Sequence, residues 1–177
     1  MKMVFVSGML PSGHYSQYIT NALNKQENVD LSVYTDKNTQ NLEIKNCGTI
    51  KLVWSKSLRY IFEIVKEVKK DNPDIIHLQH ELNMYGGIVT AALFPILIIS
   101  LRLLGYSVVT TVHAAVYKNQ IDKSFIKLFH QDSPFVKPFA MKLFFYYIYK
   151  SISLLINNDK RDWSRAGRKL LRLKGEK

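Results

Sequence analysis

The sequence predicts an α/β fold in which a parallel sheet is covered by helices on both faces. Two observations carry this. Short β-branched runs alternate with longer helical stretches along the chain. The 177 residues, 47% of them hydrophobic, also suit one packed domain with a tail and argue against general disorder.

Lys2 to Ser7 reads as the first strand, and Tyr15 to Lys25 follows as a helix. Leu31 to Thr35 and Ile50 to Trp54 are the next two strands, joined by a polar stretch rich in Asn, Lys and Thr that reads as loop. Leu58 to Lys70 is an amphipathic helix with Leu58, Ile61, Phe62, Val65 and Val68 on one face. Asn72-Pro73-Asp74 stops it, and Ile75 opens a strand that ends at Gln79-His80-Glu81. Gly86-Gly87 begin an apolar helix that Gly105 closes, and Ser107 to Val112 form a buried strand ending at His113. Phe125 to Ser151 read as one or two aromatic helices broken around Pro134 and Pro138, before a last short strand at Leu154 to Asn157. Together these make a Rossmann-like, doubly wound parallel sheet over residues 1–157, with 158–177 as a basic tail or the start of an interdomain linker.

Composition removes several function classes. The lone cysteine, Cys47, excludes an internal disulfide and any multi-cysteine metal site, and it is compatible with a reducing compartment. The apolar start meets Pro11 and Gly13 too early for a secretory signal. Ile88 to Leu101 is free of charge but short for a membrane span, with Pro95 in its middle, so the sequence predicts a helix buried in a soluble domain. A net charge of +11 favours anionic partners. From Asp159 onward eight basic residues stand against three acidic ones. A nucleic-acid surface would interleave aromatics with such a basic face, and beyond Trp163 the tail has none.

Ligands of open doubly wound sheets bind at the carboxyl ends of the strands, and three such ends here carry polar residues. The first runs Ser7-Gly8-Met9-Leu10-Pro11-Ser12-Gly13-His14 into a helix amino terminus, where free N–H groups and the dipole favour a phosphate or carboxylate. Its glycine spacing matches neither the dinucleotide fingerprint nor a phosphate loop with its lysine, and a plain turn is the competing reading. The second runs His77-Leu78-Gln79-His80-Glu81, then Tyr85-Gly86-Gly87. Strand alternation puts His77 and Gln79 on one side, with His80 and Glu81 expected to emerge at the tip. The histidine spacing fits no zinc motif, so no metal is expected, and Glu81 suits the orienting of hydroxyls or proton uptake. Gly86 and Gly87 allow a close backbone approach. The third end is Val108-Val109-Thr110-Thr111-Val112-His113, a buried strand with a histidine at its tip.

Met3 to Val6 through Pro11-Ser12-Gly13-His14, Pro73 to Glu81 with Tyr85-Gly86-Gly87, and Val108 to His113 together resemble the amino-terminal acceptor domain of the retaining GT-B glycosyltransferases of family 4. The resemblance covers about residues 1–157. It implies that the Gly13–His14 loop lies against donor phosphates or acceptor, that His80, Glu81, Gly86 and Gly87 line the acceptor side, and that His113 meets the transferred sugar as the catalytic residue. It further implies a nucleotide-diphosphate sugar as co-substrate, with no cofactor and no metal. The absence of an Asp-x-Asp motif agrees with that. Family members continue into a second, donor-binding domain, which the residues after Asn157 do not resemble. The expectation is therefore the acceptor-binding half of a glycosyltransferase, inactive until a donor-binding domain or chain joins it. The alternative is a non-catalytic membrane-docking subunit that recruits such a chain. Phe125 to Ser151 interleaves aromatics with Lys123, Lys127, Lys137, Lys142 and Lys150. That pattern points to a cytoplasmic protein, peripheral on the anionic inner face of a membrane.

Overall fold

The computed structural model describes residues 1–8, 13–39, 48–81, 84–113, 122–132, 138, 139, 142, 143, 145–147 and 150. In chain order the elements are β1 (Lys2–Val6), α1 (Gly13–Asn24), β2 (Asp30–Asp36), β3 (Thr49–Trp54), α2 (Tyr60–Asp71), β4 (Ile75–His80), α3 (Ile88–Ala92), α4 (Phe94–Leu103), β5 (Ser107–Val112) and α5 (Lys123–Asp132). The chain divides into a compact unit containing Met1–His113 and another, Ala114–Lys160. The last strand expected at Leu154 to Asn157, and the tail, lie outside the described residues.

The first unit is a five-stranded sheet in the order β3-β2-β1-β4-β5, every pair parallel. The chain winds outward from β1 to β3 and returns to β4 on the other side of β1. The α/β, Rossmann-like doubly wound sheet is therefore observed, and its strand order reverses between β1 and β4. A parallel sheet buried on both faces needs apolar residues at successive positions, and Val4, Phe5 and Val6 are all fully buried.

Side-chain parity assigns the two faces. Met3, Phe5, Leu31, Val33 and Ile75 form a core with Ile19 and Leu23 of α1. On the opposite face Val4, Val6, Ile76, Leu78 and Val108 are buried, as are Tyr60, Ile64 and Val68 of α2 and Leu97, Ile98 and Leu101 of α4. Asn72 ends α2 in the left-handed conformation, φ +46°, with its N–H on the Val68 carbonyl at 2.8 Å. Pro73 follows and prevents continuation.

Two expectations about helices are corrected. The face of α2 that is buried is Tyr60, Ile61, Ile64 and Val68, whereas Leu58 precedes the helix and Phe62 is 77% exposed. Tyr60 sets this rotation. Its hydroxyl donates to the Thr90 carbonyl at 3.1 Å and its ring stacks on Tyr85. The apolar run after Gly87 is not one helix but two, because Pro95 has no N–H to continue the ladder and is tolerated only in the first turn of α4. Nor is α4 buried all round, since Ile96 and Ile99 are about half exposed and Leu103 is 83% exposed. Among the described residues no helix is long and apolar enough to cross a membrane.

Candidate functional site

The strand order brings the ends of β1, β4 and β5 side by side at the carboxyl edge of the sheet. Register decides which side chains meet there. Phe5 pairs with His77, His77 with Val109 and Gln79 with Thr111, so His77 and Gln79 of β4 share the α1 face with Thr111 and, one step past β5, His113. The His113 N–H extends the ladder by donating to the His80 carbonyl at 2.8 Å.

These four side chains are hydrogen-bonded in a row. His113 Nε2 pairs with Gln79 Oε1, Gln79 Nε2 lies 3.2 Å from His77 Nε2, and Thr111 Oγ1 lies 2.8 Å from that same His77 nitrogen. Aromatic edges hold the two rings. Phe5 meets His77 edge-on at 4.8 Å between centroids, and Tyr15, in the first turn of α1, meets His113 edge-on at 4.8 Å. Tyr15 thus carries the β1–α1 junction to His113. That junction is anchored below by Ser7 Oγ and Ser16 Oγ, 2.6 Å apart and both buried. Burial, with the nearby His113 as a lesser cause, lowers the pKa of His77 to about 4.

His80 sits elsewhere. It does not emerge at the strand tip. Parity turns it to the α4 face, where it is 2% exposed and stacked on Phe94 at 4.1 Å, and burial, then His113, lowers its pKa to about 4. Glu81 is half-buried just past β4, and its carbonyl accepts from the Met84 N–H at 3.1 Å. Gly86 has φ +134°, and a Cβ there would lie 2.8 Å from Thr90 Oγ1, so this position requires glycine. Gly87 precedes α3 in extended conformation with open space where a Cβ would be.

Gly13 is the first residue of α1, so its backbone is helical rather than left-handed. The loop 9–12 and the side chain of His14 lie outside the described residues. Sequence reasoning placed His77 and Gln79 on a common side but missed Tyr15 and Thr111. The period-2 spacing of Thr111 and His113 matches that of His77 and Gln79, and only the register shows that the two pairs are neighbours.

Asp36, at the end of β2 and 4% exposed, is a further buried carboxylate near this edge. Its oxygens are taken by its own turn, through the Asn38 N–H at 3.1 Å and the Thr39 hydroxyl at 2.9 Å. No group of three or more His, Cys, Asp or Glu among the described residues is placed to hold a metal ion. No family model matches the chain, and no curated protein matches it either.

In the second unit Asp122 caps α5 by accepting from the Phe125 N–H at 2.8 Å. Ile126 and Phe139 line an open, largely apolar cleft that Lys123, Lys127 and Lys142 border. The three lysines and Phe139 are exposed.

Proposed function

We propose that the chain is the acceptor-binding half of a retaining, nucleotide-sugar-dependent glycosyltransferase of the GT-B type. One observation carries the reading: the β1–α1 junction, through Tyr15, and the ends of β4 and β5, through Gln79 and His113, converge at the point where the strand order reverses. That is where doubly wound sheets take their ligands. In this reading His113 faces the transferred sugar as hydrogen-bond partner or proton carrier, and Glu81 orients an acceptor hydroxyl. The free N–H groups at the start of α1 favour the diphosphate. A nucleotide-diphosphate sugar and a glycosyl acceptor are the substrates, with departing charge stabilised by helix termini and basic side chains rather than by a resident metal.

The test is a titration of the labelled chain with a panel of nucleotide sugars, read from the NMR resonances of Tyr15, Gln79 and His113. In the presence of a complementing donor-binding domain, saturable shifts at Tyr15 and Gln79 that His113→Ala abolishes are expected. Should no nucleotide sugar move them there, the reading fails. Where a complementing donor-binding domain is supplied, His113→Ala should lower transfer at least tenfold.

The lysine-bordered apolar cleft of the second unit supports an anionic membrane surface as a further partner. Apolar side chains at the head-group boundary with lysines among the phosphates is the arrangement that peripheral helices use.

A further inference from the structure

Gln79 is fully buried with one end of its amide on each of two imidazoles. A carboxamide has a fixed acceptor end and a fixed donor end. Its oxygen faces His113 Nε2, so that nitrogen must carry a hydrogen to donate. Its NH2 faces His77 Nε2, so that nitrogen must present a lone pair. The Thr111 hydroxyl, 2.8 Å from the same His77 nitrogen, shares that one lone pair with the Gln79 NH2 when it donates. Turning the amide over would exchange the two roles but keep the opposition, since one amide cannot satisfy two imidazoles in the same state at both ends.

We infer that Gln79 is a positioning residue that locks neutral His113 as its Nε2–H tautomer, leaving Nδ1 as the nitrogen that can accept a proton or a hydrogen bond from a ligand hydroxyl. What meets Nδ1 rests on the glycosyl-transfer reading; the locking does not. Three features make the lock stiff. Gln79 has no solvent to turn towards, Phe5 holds His77 edge-on, and Tyr15 holds the His113 ring. A free imidazole populates both tautomers, so holding one removes a competing state before any ligand arrives. The titratable groups near His113 are His77 of β4 and Tyr15 of α1 on its own face of the sheet, and His80 on the opposite face.

The experiment is long-range 15N–1H correlation of the histidine rings in the labelled 177-residue chain at pH 7.5. His113 is expected as a single species with protonated Nε2 and bare Nδ1, and His77 with the reverse. Gln79→Leu should return His113 to a tautomer mixture. Gln79→Glu, whose carboxylate accepts at both ends, should hold His77 and His113 alike with a hydrogen on Nε2. A tautomer mixture in the unsubstituted chain overturns the inference without any variant having to fold, and so does a His77 ring still bare at Nε2 in a folded Gln79→Glu chain. UDP-glucose and GDP-mannose are added last, with a complementing donor-binding domain. A locked His113 whose replacement by alanine leaves transfer by that assembled enzyme unchanged overturns the glycosyl-transfer reading and leaves the positioning role standing.

Discussion

Lowering the pH from 7.5 to 5 should weaken the fold through two histidines, His80 buried and His77 half-buried. His77 and His80 titrate near 6.5 when unfolded and near 4 in the native chain, burial being the main cause. Between those values the unfolded chain binds protons that the folded chain refuses, so stability is full above about pH 6.5 and falls as pH drops towards 4. At pH 5 each histidine forfeits about 2 kcal/mol, about 4 kcal/mol together, against a total of about 5–15 kcal/mol for a typical domain. The carboxylates act lower. Glu67, held low first by its hydrogen bond from Lys70, and Asp71, where hydrogen bonds from Lys51 and Tyr34 outweigh the burial that raises it, give up their stabilisation only below about pH 4.5. Urea unfolding at pH 7.5 and pH 5 measures the difference. His80→Phe keeps the stack on Phe94 and removes one titrating group whose Nδ1 has no partner among the described residues, so its loss should shrink to about 2 kcal/mol. A stability unchanged between the two pH values, or a His80→Phe chain that loses as much as the original, would refute the reasoning.

Gly86→Ala should cost about 1–3 kcal/mol in thermal or urea unfolding, because φ +134° is closed to alanine and the new Cβ would press on Thr90 Oγ1. Ile64→Ala, on the buried face of α2, should cost about 2–5 kcal/mol, while Phe62→Ser on the exposed face should stay within about 0.5 kcal/mol; equal losses would restore the helix rotation expected from sequence. Vesicle sedimentation should show binding to anionic but not neutral liposomes, weakening as salt rises, and Lys123→Glu with Lys127→Glu should reduce it at least tenfold, since each lysine near an anionic surface contributes on the order of 1 kcal/mol. Binding indifferent to lipid charge and salt would refute the electrostatic part.

Much of the first unit was legible in the chain because its signals are local. The β-branched runs, the Asn72-Pro73 stop and the strand ends at His77 to Glu81 and at His113 depend on near neighbours alone. The rotation of α2 was not legible, because Phe62 and Tyr60 are equally plausible core residues until Tyr85 and Thr90 arrive from the far side of β4. The break at Leu93 is legible only once Pro95 is seen in the first turn of α4, because the charge-free run around it reads as one continuous helix.

What the sequence determined by itself is the alternation of strands and helices, and with it the polar residues delivered to the carboxyl edge of the sheet. Which of them face one another was decided only by the tertiary structure. Parity along β4 separates His77 and Gln79 from His80, but the partner of Gln79 is set by the register between β4 and β5, across a sequence separation of 34 residues. Slipping that pairing by one residue would turn Thr111 and His113 to the other face of the sheet, and no local propensity distinguishes the two registers. The packing of α1 against one face and α4 against the other selects the register that buries Val108 beside Ile76 and leaves His113 between Tyr15 and Gln79.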